Sequence, residues 1–271
     1  MHNSLAQTCY SGIEQHKKNY LCIKFPIMLS FFKPKPQLSE LIPNNYVDIH
    51  SHVLPGIDDG AQQISDTKFL LESMMGYGFS KVITTPHTMQ NVWNNTTTTI
   101  TEALHLVQNQ LPDIANQVAL QGASEYFLDE NLMHLAQQEQ LLPLKDNFIL
   151  VEMSYLNAPI QLYDFLFELQ LKGYQLILAH PERYTFFHAN KKEYEKLKKA
   201  GCLFQMNLLA AVGYYGRNVA ETADYLLKEN LYDFVGSDIH HKNHIAAFQN
   251  KVVLKNYRNL EKTIAKNVFF K

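Results

Sequence analysis

Asp48-Ile-His-Ser-His-Val-Leu-Pro-Gly-Ile-Asp-Asp-Gly60 brings a strand end, two histidines and two adjacent carboxylates into one short stretch. Residues 47–50 read as the end of a short buried strand. His50 and His52 are two residues apart, and an extended backbone points both imidazoles to the same side. Neutral imidazole is the commonest protein ligand for metals, and two on one face can chelate one ion. Pro55, Gly56 and Gly60 break the chain just beyond, so Asp58 and Asp59 sit on a tight loop over the strand end. Carboxylates packed together repel one another unless a cation lies between them, which makes this turn a metal-site candidate.

Outward from this stretch, strand and helix alternate. Residues 64–77 place Ile64, Phe69, Leu70, Met74 and Tyr77 near helical spacing, and Gly76 and Gly78 stop the run. Residues 81–85 form a β-branched strand ending in Pro86-His87, and 97–111 a helix. Residues 118–121 are the third strand, running into Gly122-Ala-Ser-Glu125. A helix over 128–140 precedes the strand 148–151 and Glu152. A helix opens near Pro159 and closes at Gly173, and 174–179 leads into His180. After a Lys-rich helix at 191–200, the strand 202–206 ends in Asn207. A helix at 218–230 then precedes 233–236 and Ser237-Asp-Ile-His240.

Of seven strands, six run into His, Asp or Glu and one into Asn. In β/α barrels the C-terminal ends of parallel strands converge on one rim, where the chemistry sits. An open doubly wound sheet also gathers strand ends, but the barrel is favoured. His50, His52, Asp59, His87, Glu125, Glu152, His180, Asp238 and His240 would then share one cup. His105 and His134 fall inside helices and read as packed or exposed, while His188, His241 and His244 lie near the rim without a partner. Tyr214-Tyr215 is either a pocket floor or a packed loop. Trp93, in an Asn/Thr-rich loop, is either a lid or a surface anchor.

The length of 271 residues suits one α/β barrel. A net charge of −2 with 18% charged residues gives no electrostatic case for nucleic acid or an anionic membrane as partner. Cys9, Cys22 and Cys202 form no metal-ribbon or disulfide pattern, as suits a reducing compartment. No apolar run reaches transmembrane length, and residues 1–27 lack the features of a signal peptide. The expected location is the cytoplasm. Residues 1–45 lack periodicity and include the Pro-broken basic linker Phe32-Lys-Pro-Lys-Pro36. They read as a poorly ordered extension and linker before a domain at 46–271. Met28 would serve as a natural start, so residues 1–27, with His2 and His16, read as an upstream extension on which little core depends.

The stretch 48–60, together with Thr84-Thr-Pro-His87, Val151-Glu-Met-Ser154, Ala179-His-Pro-Glu-Arg-Tyr184 and Gly236-Ser-Asp-Ile-His240, resembles the polymerase-and-histidinol-phosphatase (PHP) superfamily. Within it the motifs look most like the bacterial capsule and exopolysaccharide tyrosine phosphatases, in order over about residues 46–250. The resemblance implies a distorted seven-stranded (β/α) barrel, TIM-like, with a three-metal site usually described with manganese. Carried over residue by residue, His50, His52, Glu125 and Asp238 would hold the first metal. Glu125 would bridge to a second, completed by Glu152 and His180, and Asp59, His87 and His240 would hold the third. Asp58 drops out, since the family's ligand corresponds to the second aspartate. Arg183, Asp59 and His240 are the implied catalytic residues. The implied partner is a phosphotyrosine protein, a bacterial tyrosine kinase of polysaccharide export. One departure stands out. Where such phosphatases often carry a second phosphate-binding arginine, this chain reads His241-Lys-Asn-His-Ile245, leaving that contact to His244, to Lys242 or to no residue.

Imidazoles and carboxylates without thiolate suit Mn²⁺, Fe²⁺ or Zn²⁺. Several such ions can lower the pKa of a water and clamp phosphoryl oxygens for in-line attack. Tyrosine phenolate, with a pKa of about 10, is a good leaving group and makes little demand for a strong acid. A cysteine mechanism needs an Arg six residues after the Cys, and Cys202 is followed there by Leu208. Arg183, one of three arginines, comes three residues after His180. Its guanidinium is either a bidentate phosphate clamp or one half of an ordinary salt bridge. Besides the tyrosine phosphatase, two readings stand: a PHP phosphoesterase for a small molecule such as histidinol phosphate, or a nuclease; and a non-catalytic metal-binding module. The complete ligand set argues against the module, and the low net charge against the nuclease.

Overall fold

The computed structural model describes residues 34–271. The upstream segment 1–27, with His2, His16, Cys9 and Cys22, and the alternative start at Met28 lie outside the described residues. The first half of the fold comprises β1 (Tyr46–Asp48), α1 (Ile64–Gly76), β2 (Phe79–Thr84), β3 (His87–Thr88), α2 (Thr97–Gln110), α3 (Pro112–Gln117), β4 (Gln121–Gly122), β5 (Glu125–Phe127) and α4 (Glu130–Gln137). The second comprises β6 (Phe148–Glu152), α5 (Leu162–Leu171), β7 (Gln175–Ala179), α6 (Lys192–Lys199), β8 (Leu203–Asn207), α7 (Arg217–Lys228), β9 (Phe234–Gly236), α8 (Lys242–Ala247) and α9 (Tyr257–Lys266).

Every strand pair is parallel, in the orders β1-β2-β4 and β3-β5-β6-β7-β8-β9. The nine segments make seven barrel strands, because β3 continues β2 and β5 continues β4. Pro86 explains the first break, since it has no N–H to give the ladder. Its carbonyl instead accepts from Ser124 Oγ at 3.0 Å and Glu125 N at 3.2 Å. The third strand begins later than the sequence pattern expects. Pro112 starts α3, and residues 118–120 are spent leaving that helix, with Ala119 at φ 42°.

Strand alternation separates two cores. Ile149, Val151, Leu176 and Leu178 face the helices, whereas Leu150, Ile177, Ala179, Val47 and Ile83 form a second cluster within the ring. Phe270, fully buried in the turn Asn267–Phe270, joins that inner cluster. The packed body also starts earlier than expected. Residues 35–45 are not a loose linker: Leu38 is fully buried, Leu38 N bonds Asn250 O at 3.1 Å, and Val252 N bonds Pro36 O at 2.9 Å.

Backbone and side-chain bonds together stitch the seam between the last strand and the first. At the rim, Asp238 N donates to His50 O (2.7 Å) and His52 N to Ile239 O (2.9 Å). In the middle, buried Asp48 accepts from Ser237 N and Ser237 Oγ, both at 2.8 Å. Burial pushes its pKa up to about 7 against the pull of the Ser237 bonds. Below, Asn267 Nδ2 donates to Val47 O (2.9 Å) and Val235 O (2.8 Å), while its Oδ1 accepts from Val235 N (3.1 Å). Asn267→Ala strands these buried backbone groups, which should cost about 2–4 kcal/mol. The melting temperature should fall by roughly 5–12 °C while turnover of the folded fraction survives. An unchanged melting curve would show that the seam does not depend on this side chain.

Candidate metal centre

All nine side chains singled out in the sequence meet at the C-terminal rim. His50 Nε2 and His52 Nε2 lie 3.2 Å apart, and both face Glu125 Oε2 (3.2 and 3.5 Å) and Asp238 Oδ1 (3.2 and 3.4 Å). Beside them His180 Nε2 approaches Glu125 Oε1 at 3.1 Å. His87 Nδ1 is 3.0 Å from Glu152 Oε1, and Asp59 Oδ1 is 3.4 Å from both His87 Nε2 and His240 Nε2. The donors fall into four overlapping groups, each with its atoms within 4.8 Å of one another: His52-Asp59-His87-His240, His50-Glu125-His180, His50-His52-Asp238 and His87-Glu125-Glu152. Glu125 belongs to two of them, as do His50, His52 and His87, but of these four only the carboxylate has two oxygens with which to bridge.

The electrostatics of the cup call for positive charge. Burial works against protonating His50, but Glu125 and Asp238 outweigh it and raise its pKa to about 10. For His87, burial and His52 oppose charge, yet Glu125 and Glu152 carry it to about 10. Burial resists ionisation of Glu125 and Asp238, and the surrounding histidines still hold both well below the usual carboxylate range. Buried His180 moves the other way, with Arg183 adding to the effect of burial. His87 Nδ1 and Glu125 Oε2 are 3.1 Å apart without hydrogen-bond geometry, and both are buried and unpartnered, as is His180 Nδ1. Orphaned donors aimed into shared space, all nitrogen and oxygen, fit divalent cations.

A second layer of residues orients these donors. Gln205 Oε1 lies 2.7 Å from His50 Nδ1, and Asp58 Oδ2 lies 2.7 Å from His52 Nδ1. With Nδ1–H given to these acceptors, each Nε2 offers its lone pair to the cup. Asp58 also accepts from Gly60 N at 2.9 Å and His87 N at 3.2 Å, so this aspartate orients its neighbours while Asp59 faces His87 and His240. Asn207 Nδ2 and Arg183 Nη1 both donate to Asp238 Oδ2, at 2.7 and 2.9 Å, leaving Oδ1 for the histidines. Two donors pay a backbone cost: His180 and Asp238 hold φ of 36° and 51°, in the left-handed region. Gly236 is required by crowding, since a Cβ there would lie 2.5 Å from His50 Cβ. Nothing in the sequence assigns a role to Gln205 or Asn207; the one signal is a polar Gln inside the strand Leu203-Phe-Gln-Met-Asn207.

Six of the nine, Asp59, His87, Glu152, His180, Asp238 and His240, form one side of a cavity of about 440 Å³, with Met89, Trp93, Phe127, Tyr155 and Tyr215 on its walls. Trp93 and Tyr215 therefore belong to the cavity. Tyr214 stands edge-on to His244 with ring centroids 5.0 Å apart. His241 and His244 line the cavity and Lys242 does not. His188 is used locally, its Nε2 2.8 Å from Glu182 O. Arg183 lines the cavity while also pairing with Asp238, its guanidinium lying over Tyr215 (4.3 Å) and Tyr155 (4.7 Å). Clamp and salt bridge are thus not alternatives here. Cys202 is buried and its thiol is pushed up to about 12 by that burial, far from a reactive thiolate.

Gln205→Leu keeps every donor but removes the acceptor that fixes His50. Metal affinity, measured by titration calorimetry on stripped protein, should weaken by about 10- to 100-fold with the fold unchanged. Wild-type affinity would mean that His50 needs no such orientation.

Comparison with known proteins agrees with this geometry. The family model for capsular polysaccharide synthesis, CpsB/CapC, matches residues 46–271. The chain is 32% identical over 197 residues to the tyrosine-protein phosphatase YwqE of Bacillus subtilis, covering 72% of this chain and 77% of that one. It is 24% identical to the tyrosine-protein phosphatase CpsB of Streptococcus pneumoniae, covering 72% and 82%. A solved structure from work on YwqE and CpsB, described as unique metal-dependent tyrosine phosphatases, superposes with a TM-score of 0.70 at 28% identity, over 80% of this chain and 86% of that one. An amidohydrolase from Mycoplasma synoviae shares the fold alone, with a TM-score of 0.50 at 13% identity over 88% and 89%. With its nine-donor cup and a match running from the first barrel strand to the last residue, the chain belongs to the CpsB/CapC family of capsular polysaccharide synthesis.

Proposed function

We propose that this protein is a metal-dependent tyrosine-protein phosphatase. The observation that carries the reading is the clustering of nine nitrogen- and oxygen-donor side chains, six of which line one cavity together with Arg183. The names of YwqE and CpsB, both tyrosine-protein phosphatases, support it. We assign His50, His52, Glu125 and Asp238 to a first ion, Glu125, Glu152 and His180 to a second, and Asp59, His87 and His240 to a third, with Mn²⁺ as the native metal and Fe²⁺ or Zn²⁺ as substitutes. Ions held there would supply Lewis-acid charge and a water of lowered pKa.

The chain's own groups do the rest. Among the described residues the Arg183 guanidinium bonds only through Nη1, to Asp238, and its other N–H groups would meet an equatorial phosphoryl oxygen, where they would stabilise charge as it builds. Tyr155 and Tyr215 hold the guanidinium between them. Trp93 and Phe127 offer apolar walls for a phenyl ring. His244, on the cavity wall, takes the place of the second arginine. The substrate we infer is a phosphotyrosine protein, a tyrosine kinase of polysaccharide export, met in the cytoplasm. Among the described residues no helix is long and apolar enough to cross a membrane.

Hydrolysis of a phosphotyrosine peptide should be abolished by strong chelator, restored by Mn²⁺, and exceed that of histidinol phosphate. Preference for histidinol phosphate would transfer the site to a small-molecule phosphoesterase. At saturating Mn²⁺, Arg183→Ala should lose about 2–4 kcal/mol of transition-state stabilisation, a ~30- to 1,000-fold fall in kcat/KM. Arg183→Lys should recover only part, because an ammonium lacks the planar fork. Because Arg183 also grips Asp238, metal content is measured on the same samples. A metal-replete Arg183→Ala protein with wild-type turnover would remove the clamp.

A further inference from the structure

We propose that the outer wall running from the cavity mouth down α5 docks the polypeptide flanking the phosphotyrosine, and that it selects flanks pairing apolar with basic residues. The proposal rests on the phosphatase reading above and names what that site recognises beyond the phosphorylated ring.

Large apolar side chains left in solvent are concentrated here. Of thirteen among the described residues, six are Tyr155, Leu156, Ile160, Tyr163, Phe167 and Leu171. Ile160 is 99% exposed and Leu156 86%. Tyr163, Phe167 and Leu171 are spaced four residues apart, which puts them on one stripe of α5, and Ile160 lies in the turn just before the helix. The opposite face, with Leu162, Phe165, Leu166 and Leu169, already packs into the core. A helix that is apolar on both faces has a second partner to cover.

Continuity with the active-site cavity identifies that partner. A side cavity of about 240 Å³ shares Phe127 and Ser154 with it and reaches Pro159, Gln161 and Phe165 at the start of α5. A chain whose phosphotyrosine enters the cup can leave through this notch and arrive on the stripe. The only charged residues lining the notch are Asp129 and Glu130, and Asp164 and Glu168 are exposed on α5. Carboxylates beside an apolar track favour a flank with apolar and cationic side chains. The ten residues of α5 span about 15 Å, which about five extended residues would cover. A small-molecule phosphate has no use for such a surface.

The test uses phosphotyrosine peptides with eight-residue flanks on either side, built from Leu/Arg, Gly/Ser or Leu/Glu, with p-nitrophenyl phosphate as the substrate without a flank. KM for the Leu/Arg peptide should be about tenfold below that for Gly/Ser, the scale of burying one apolar side chain. Leu/Glu should lose most of that gain. The double variant Ile160→Ser, Phe167→Ser and, separately, Glu130→Lys should erase the preference, with kcat/KM on p-nitrophenyl phosphate within about twofold of wild type. Equal KM values across the peptides, with hydrolysis intact, would overturn the docking surface alone. Failure to hydrolyse any of these substrates with Mn²⁺ present would overturn the phosphatase reading and this proposal with it. A wild-type dimer in sedimentation that Phe167→Ser dissociates would assign the stripe to a second copy and overturn the proposal.

Discussion

Four carboxylates and five imidazoles share one rim, and the structure depends on balancing their charge. Side by side, Asp59, Glu125, Glu152 and Asp238 carry four formal negative charges, and three of the four are buried. Burying unpaired charge is expensive. The histidines answer part of the demand, as the raised pKa values of His50 and His87 record. Divalent cations would answer it better, since they bring more charge per site and would engage the orphaned atoms of His87 and Glu125. On our proposal the same donors, which would repel one another as a bare cluster, would serve as a template for catalysis.

Holding that cup in shape falls to elements away from it. The parallel strands present their ends together, but the seam between the last and first strands is where two donor-bearing loops must agree. Asp48, Ser237 and Asn267 tie that seam from rim to base. The bonds of Asp238 N to His50 O and His52 N to Ile239 O then lock the two loops directly. Left-handed backbone at His180 and Asp238, and the absence of a side chain at Gly236, complete the positioning. Backbone strain is concentrated at donors that a metal would repay.

Much of this was legible in the sequence. Strand-end residues announce themselves, because a buried apolar run terminating in His, Asp or Glu has few structural explanations. Most of these side chains and the alternation of elements could be read this way, while Asp59, on the loop beyond the first strand, is singled out over Asp58 by the family resemblance. What could not be read depended on three-dimensional neighbours. Gln205 looks like one polar residue in a strand until His50 lies beside it across the rim. Asn267 is an unremarked residue near the C-terminus until its carboxamide reaches both Val47 and Val235. The docking of residues 36–39 against 248–252 was hidden because the run Phe32-Lys-Pro-Lys-Pro36 leading into it resembles a linker. Arg183 could be placed at the site by its spacing from His180, but its bond to Asp238 is a long-range contact that no local pattern encodes.

The central claim is that the rim is a multi-metal template whose donors are these nine side chains. Crystals of the protein grown with Mn²⁺, examined by anomalous scattering at the manganese edge, test it most directly. The account predicts three anomalous peaks in the cup, with Glu125 touching two of them and His50 and His52 sharing one with Asp238. A cup free of anomalous density in manganese-saturated crystals, or manganese bound only by residues outside these nine, would contradict it.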